Sequence, residues 1–147
     1  MNAQTERLSL AGPAGAIEAA RDGAAVGVAP RGVAVIAHPH PLFGGTMDNK
    51  VVQTLARAFV ASGFTAVRFN FRGVGATAGA YDEGRGELDD LLAVVRQAVP
   101  QGPLALAGFS FGAFVASHAL ARLWGGREVT HAVLVGPAAS RFTVAGV

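Results

Sequence analysis

The chain has 147 residues, of which 51% are hydrophobic and 15% charged, and this composition excludes an intrinsically disordered protein. The 12 basic and 10 acidic residues leave a net charge of +2 without any basic run, so nucleic acid is not expected as a partner. The chain has no cysteine, and glycine or proline interrupts its charge-free stretches. We therefore expect a cytoplasmic protein without disulfides, a signal peptide or a membrane span.

The first half of the chain predicts three strands and one helix. Two short strands flank a turn at residues 12–15, and an apolar, β-branched run at residues 32–39 is typical of a strand buried on both faces. A helix is expected over residues 48–62, because apolar residues recur there every three or four positions. Thr46 would cap the start of this helix, and Gly63 would end it.

Strands and helices continue to alternate in the second half. We expect strands at residues 64–71, 104–108 and 131–137, and helices at residues 87–99 and 111–124. This alternation predicts an α/β fold in which a mostly parallel sheet lies between two layers of helices, a three-layer sandwich. No linker divides the sequence, so residues 1–147 are interpreted as one domain.

The segment Gly108-Phe109-Ser110-Phe111-Gly112 joins a buried strand directly to a helix and fits the pattern G-x-S-x-G. In this position the pattern is typical of a sharp turn that lifts a nucleophilic serine above the C-terminal edge of a sheet. The turn crowds the backbone beside the serine, which explains the two glycines. The amide of Phe111, at the start of the helix, would stabilise a developing oxyanion. We therefore predict that Ser110 is a nucleophile; a serine that merely caps the helix is the alternative.

A second oxyanion donor is expected in the loop HPHPLFGG, which follows the strand at residues 32–39. Its prolines have no N–H, which leaves the amides of His40 and Leu42 near the strand end. We favour Leu42, because Pro41 would fix the direction of its amide and the two glycines would let the backbone come close. His40, Phe43 and Phe109 would then line a partly apolar pocket, with core packing as the alternative role for these aromatic residues.

Four segments in this order and spacing resemble the α/β-hydrolase superfamily: HPHPLFGGTMDNKVV, VRFNFRGVGATAG, YDEGRGELDD and LAGFSFGAF. Within it, the chain is similar to the small, lidless, esterase-like branch related to dienelactone hydrolases. The resemblance spans nearly the whole chain and implies Ser110 as nucleophile with the amides of Leu42 and Phe111 as oxyanion hole. It also implies hydrolysis of a small acyl substrate (a carboxylic ester, thioester or lactone) that needs neither a metal nor an organic cofactor.

In that superfamily the catalytic acid and histidine follow the serine along the chain. Here the residues after Ser110 contain one glutamate, Glu128, and two histidines, His118 and His131. His118 is expected on the helix that leads away from the catalytic edge, and His131 and Glu128 are expected at the opposite edge of the sheet. We therefore predict that the chain is the N-terminal portion of the fold, with C-terminal strands, acid and histidine beyond residue 147.

Other titratable residues precede the serine. His38 and His40 lie at the catalytic edge of the predicted sheet, so a non-standard base from their loop is an alternative. Asp82, Asp89 and Asp90 also precede the serine, and the helix dipole is sufficient to explain the last two.

The mean hydropathy of +0.39 is high for a soluble domain. It is expected if the last strand has an open edge and uncovered apolar faces, through which two copies of the chain could associate.

Two other functions are considered. Gly73-Val74-Gly75-Ala76-Thr77-Ala78 follows a strand and fits G-x-G-x-x-A, the pattern of a dinucleotide-binding module. That pattern has to open a helix at once, whereas further glycines follow here. The other alternative is a non-catalytic protein that has the fold without a complete triad, because a serine without its base retains little activity.

Overall fold

The computed structural model describes residues 4–136, which form one six-stranded sheet with helices on both faces. The strands are β1 (Glu6–Gly12), β2 (Gly15–Asp22), β3 (Gly32–Ala37), β4 (Phe64–Phe69), β5 (Leu104–Phe109) and β6 (Val129–Val135). The helices are α1 (Lys50–Ala61), α2 (Arg85–Ala98) and α3 (Phe111–Leu123), and a short 3-10 turn spans Pro41–Phe43.

The strand order is β1-β2-β4-β3-β5-β6. β1 and β2 form an antiparallel hairpin, and β2 runs antiparallel to β4. All the other pairs are parallel, so β3, β4, β5 and β6 end at the same edge of the sheet. This mostly parallel arrangement confirms the predicted α/β fold class.

Alternate residues of the central strands enter two separate cores. Ala34 and Ile36 of β3 pack with α1 on one face of the sheet. Val35 and Ala37, their neighbours in the sequence, pack with α2 and α3 on the other face. Since successive side chains of a strand point to opposite faces, the continuous apolar run of β3 is explained by burial on both sides. The two cores confirm the predicted three-layer sandwich.

The start of α1 differs from the prediction. Thr46 does not cap this helix; its hydroxyl accepts a hydrogen bond from the amide of Asp48 in the preceding turn. The cap is Asn49, whose Oδ1 accepts from the amides of Val51 and Val52 at 2.9 and 3.2 Å. Both residue types favour this position, so composition alone does not decide between Thr46 and Asn49.

β6 forms an edge of the described sheet, and most of its residues are exposed, including Val133. The predicted open edge is therefore present within residues 4–136, and Val133 is uncovered, whereas Val129 and Leu134 pack partly against the core that includes α3. The strand runs from Val129 to Val135, two residues earlier than expected, and Pro137 of the predicted range lies outside the described residues. No helix in this part of the chain has the length and apolar character that a bilayer span requires.

Candidate active site

Ser110 occupies a strained turn between β5 and α3. Its φ of 57° and ψ of −116° lie in a region that residues with a Cβ rarely adopt. Its amide donates to the Val135 carbonyl at 2.8 Å, which ties the turn to the end of β6. Its side chain makes no capping hydrogen bond to α3 and is only partly buried. The role of a simple helix cap is therefore excluded for this conformation, which places a partly buried Ser110 at the C-terminal edge of the sheet.

The glycines on both sides of Ser110 permit two close backbone approaches. A Cβ at Gly108 would lie 2.4 Å from the carbonyl oxygen of Gly112. A Cβ at Gly112 would instead lie 2.2 Å from the carbonyl oxygen of Ala37, in the neighbouring strand β3. The first contact has the predicted origin, crowding within the turn. The second brings the start of α3 directly against the loop that follows β3.

His38, the first residue of that loop, is fully buried and linked to backbone groups through both ring nitrogens. Nδ1 lies 2.6 Å from the carbonyl oxygen of Pro39, and Nε2 accepts from the amide of Phe71 at 3.0 Å. Burial lowers the pKa of His38 to about 4, which the hydrogen bond to Pro39 only partly opposes. The ring is therefore neutral at neutral pH and connects the ends of β3 and β4, so it is not available as a general base.

Met47 fixes the far end of the same loop. Its amide donates to Oδ1 of Asn70 at 2.8 Å, and its carbonyl accepts from the buried guanidinium of Arg68 at 2.8 Å. The same guanidinium pairs with Asp48 at 2.9 Å and lies 3.9 Å from Asp22. Arg68 in β4 and Asn70 just after it thus hold the backbone carbonyl and amide of Met47, and the loop between β3 and α1 is anchored at its two ends.

The amide of Leu42, the predicted oxyanion donor, donates to Nδ1 of His40 at 3.2 Å. The Leu42 side chain is 64% exposed and contributes nothing to the core. Phe43 and Gly45 both donate their amides to the His40 carbonyl, which closes the loop on itself. The loop therefore brings Leu42 to the predicted edge of the sheet, with its amide directed at an imidazole.

An aromatic cluster surrounds the ring of His40. Its ring centroid lies 4.7 Å from that of Phe43, 4.9 Å from that of Tyr81 and 5.0 Å from that of Phe111. Nε2 of His40 is also 3.1 Å from the hydroxyl of Tyr81. Two predicted pocket residues, His40 and Phe43, thus come together beside the residue that follows Ser110.

Phe109 is separate from that cluster, because its ring faces Gly136 at the end of β6. Sequence reasoning missed Tyr81, although it begins the segment YDEGRGELDD. Its proximity to His40 depends on how the long loop after β4 folds back over the sheet edge. A contact between residues 41 positions apart cannot be predicted from a local sequence pattern.

The histidines that follow Ser110 lie where the sequence predicted. His118 is on α3, with its ring 5.0 Å from that of Phe114. His131 is exposed at the start of β6, with its ring 5.5 Å from that of Phe64 at the start of β4. Glu128 precedes β6 at the same N-terminal edge, where its carbonyl accepts from the amide of Leu104. None of these three side chains lies at the edge that holds Ser110.

Two of the carboxylates that precede the serine in the sequence, those of Asp82 and Asp90, form hydrogen bonds or ion pairs within the protein. Asp90 binds Arg72 through both carboxylate oxygens, at 2.8 and 3.1 Å. This ion pair, rather than the helix dipole that the sequence suggested, accounts for Asp90, which is six residues into α2. Asp82 accepts from the amide of Gly86 at 3.0 Å and so fixes the start of that helix. The carboxylates of Asp82 and Asp90 thus hold the loop after β4 against α2.

The glycine-rich loop after β4 does not have the geometry of a dinucleotide site. It opens no helix: α2 begins only at Arg85. The carboxylate of Glu18 accepts from the amide of Ala76 at 2.9 Å, and a Cβ at Gly75 would lie 2.4 Å from the same carboxylate. A negative group thus occupies the concave side of the loop, where a pyrophosphate would have to bind.

Comparison with known proteins agrees with this geometry. The model of the α/β hydrolase fold family matches residues 40–146. The crystal structure of XC6422 from Xanthomonas campestris, an α/β serine hydrolase without a lid, superimposes with a TM-score of 0.77 at 46% identity, over 84% of this chain and 58% of that one. An α/β serine hydrolase homologue from Coxiella burnetii has a TM-score of 0.74, also at 46% identity, over 78% of this chain and 56% of that one.

A relative is also found by sequence. An uncharacterised protein of Rickettsia prowazekii is 38% identical over 130 residues, which are 86% of this chain and 52% of that protein. The chain thus spans between 52% and 58% of the length of these three proteins.

Proposed function

This chain belongs to the α/β hydrolase fold family, and from that premise we propose that it contributes the nucleophile and the oxyanion hole of a serine hydrolase acting on ester-type bonds. The observation that carries the proposal is the backbone of Ser110. A positive φ at a residue with a Cβ is costly, and the surrounding contacts maintain it here between a buried strand and a helix. Such strain is typical of a serine whose hydroxyl has to be presented to a substrate.

In the proposed reaction, Ser110 Oγ attacks the carbonyl carbon of the ester while its proton passes to a general base. The carbonyl oxygen becomes an oxyanion, and the bond to the leaving alcohol then breaks as the alcohol takes that proton. Water attacks the acyl-serine in a second cycle and releases the acid. Two backbone amides in a water-poor site would lower the energy of both tetrahedral intermediates.

Phe111 and Leu42 are the proposed oxyanion donors. The amide of Phe111 lies at the N-terminal end of α3, where the positive end of the helix dipole favours a developing negative charge. The amide of Leu42 donates to His40 Nδ1 in this structure. A negatively charged oxygen is the stronger acceptor, so we propose that it takes the Leu42 hydrogen from the imidazole when the tetrahedral intermediate forms.

The general base is proposed to come from polypeptide beyond residue 147. The chain has four histidines, and none of them is suited to the role: His38 and His40 have both ring nitrogens engaged, and His118 and His131 lie away from the serine. A non-catalytic role for the 147 residues alone is therefore the second candidate function. Sequencing the reading frame beyond Val147 tests the first: an immediate stop without a downstream aspartate and histidine would contradict it.

The substrate class is proposed from the lining of the site. The rings of His40, Phe43 and Tyr81 favour a small, partly apolar acyl group in a carboxylic ester, thioester or lactone, and the buried ring of Phe111 supports His40 from the core. The relation to dienelactone hydrolases stays a prediction. The cytoplasmic location and the association of two copies through the open sheet edge are also predictions.

A fluorophosphonate probe tests the nucleophile directly, because it reacts with an activated serine hydroxyl and remains attached. We expect labelling of the protein extended through its full reading frame, and mass spectrometry of the peptides should place the adduct on Ser110. Ser110→Ala should abolish both labelling and ester hydrolysis. Ser62→Ala, which removes an exposed hydroxyl at the far end of α1, should change neither. Labelling that persists in Ser110→Ala would refute the assignment.

A further inference from the structure

The hydrogen bonds of His40 determine which of its ring nitrogens carries the proton. Nδ1 accepts from the amide of Leu42, so it cannot itself be protonated. A neutral imidazole then has its hydrogen on Nε2, which lies 3.1 Å from the hydroxyl of Tyr81. Nε2 is therefore the donor in that pair, and the oxygen of Tyr81 is the acceptor.

This direction leaves the Tyr81 hydroxyl hydrogen to point elsewhere. A tyrosine hydroxyl both accepts and donates, and its accepting side is turned to His40. Within residues 4–136, His40 is the hydrogen-bond partner that the structure gives to the Tyr81 hydroxyl. The ring centroid of Tyr81 lies 5.8 Å from that of Phe111, the residue after Ser110. The donor is thus held at the candidate site, with no protein acceptor in the described part of the chain.

We propose that Tyr81 donates a hydrogen bond to an oxygen of the bound substrate and so selects acyl groups that carry an ether, hydroxyl or carbonyl oxygen near the scissile bond. The inference rests on the proposed function of Ser110 and adds a specificity determinant to it. A half-buried tyrosine is suited to this role, because its ring is rigid and only its hydroxyl hydrogen has to reorient.

The surroundings of Tyr81 keep its hydroxyl protonated. Burial raises the pKa of Tyr81, and the negative charges of Glu87 and Glu83 raise it further. The hydroxyl therefore retains its hydrogen across the pH range in which a serine hydrolase works. The apolar ring of Phe111, whose centroid lies 5.8 Å from that of Tyr81, excludes water from one side of the tyrosine ring, which strengthens a hydrogen bond to substrate.

The test compares two esters that differ by one atom, nitrophenyl methoxyacetate and nitrophenyl butyrate, in which an ether oxygen replaces a methylene group. Tyr81→Phe should lower kcat/KM for the methoxyacetate roughly 3- to 10-fold relative to the butyrate, the effect of one neutral hydrogen bond. For each variant, kcat/KM for the methoxyacetate is divided by kcat/KM for the butyrate. Comparing this ratio with the wild-type ratio removes the difference in intrinsic reactivity between the two esters. Ser62→Ala, at the exposed far end of α1, should leave the ratio unchanged.

An equal loss on both esters in Tyr81→Phe would overturn the proposal, because Tyr81 would then only position His40. An unchanged ratio with full activity would also overturn it. A further readout needs no substrate: long-range 1H–15N spectra should show the His40 hydrogen on Nε2. A hydrogen on Nδ1 would reverse the direction of the bond to Tyr81 and would contradict the inference.

A binding measurement separates this inference from the proposed function. Methoxyacetone and 2-pentanone are isosteric ketones, and their affinities can be followed by NMR shift titration without any turnover. We expect the wild type to prefer methoxyacetone and Tyr81→Phe to lose that preference. If Ser110 proves inactive and the preference is still present, the proposed function alone has failed. If neither protein distinguishes the ketones, this inference has failed.

Discussion

Gly112 packs against Ala37 so closely that a Cβ at the glycine would lie only 2.2 Å from the alanine carbonyl oxygen. The same Cβ would be 2.5 Å from the carbonyl oxygen of His38. Both oxygens are backbone atoms near the end of β3, and they cannot move aside as a flexible side chain could. The start of α3 therefore contacts β3 only because position 112 lacks a side chain. This contact brings Ser110 and the loop that begins at His38 into one site.

Gly112→Ala should destabilise the protein by about 1–3 kcal/mol, because the added methyl group forces α3 away from β3. The change should also lower the rate of fluorophosphonate labelling at Ser110, since the serine and the oxyanion loop would move apart. Urea unfolding followed by circular dichroism measures the first effect, and gel-based labelling measures the second.

Gly126→Ala is the matched control for that experiment. Gly126 follows α3, and a Cβ there would meet no atom closer than 3.8 Å. The control should therefore unfold within about 0.5 kcal/mol of the wild type, as surface substitutions usually do. Equal stability of Gly112→Ala and Gly126→Ala would show that α3 does not depend on the contact with β3.

Much of this fold is predictable because its signals are local. The apolar run of β3 and the three- and four-residue spacing in α1 each occur within one element, so the sequence shows them without knowledge of the rest. Ser110 is similar, because a strand, a serine between glycines and a helix follow one another directly. The three-layer sandwich then follows from the alternation of strands and helices.

Contacts between distant segments are what sequence patterns miss. The loop HPHPLFGG was predicted to supply an amide, but the pairing of the Leu42 amide with His40 was not predicted. Tyr81 contacts His40 across 41 positions of the chain, and Asn70 holds Met47 across 23. Such partners depend on how loops fold over the edge of the sheet, and each involves residue types that are also common on surfaces.

The pH dependence of stability should report on His38. Its pKa is about 4 in the folded protein and 6.5 in the unfolded chain, so the unfolded chain binds the proton more readily. The stabilisation is therefore fully present above pH 6.5 and is lost as the pH falls towards 4, by about 3 kcal/mol in all. Urea unfolding at a series of pH values between about 7.5 and about 4.5, in buffers of equal ionic strength, measures most of this loss.

His38→Gln should flatten that pH dependence while lowering the stability at pH 7, because the hydrogen bond to Phe71 is lost. His131→Gln removes an exposed ring instead and serves as the control. A wild-type slope in His38→Gln would show that another group causes the acid sensitivity.

Arg68→Leu should destabilise the protein by about 3–5 kcal/mol, because it leaves the carboxylate of Asp22 buried without a cation. Arg68 is fully buried, and Asp22 is only 4% exposed. Adding Asp22→Asn removes the uncompensated charge, so the double variant should recover part of the loss. Chemical unfolding of the two single variants and the double variant measures the coupling. Simple additivity of the two changes would mean that the pair at 3.9 Å does not interact.

Asn49→Ala should cost about 1 kcal/mol, because Asn49 Oδ1 accepts from two amides in the first turn of α1. Thr46→Ala removes a single hydrogen bond in the turn before the helix and should cost less. Comparing the two variants by thermal unfolding therefore locates the start of α1 in solution. If Thr46→Ala were the more costly change, the helix would begin where the sequence pattern first suggested. The loop that carries Leu42 would then be shorter than the structure shows, with fewer residues to bring its amide to the serine.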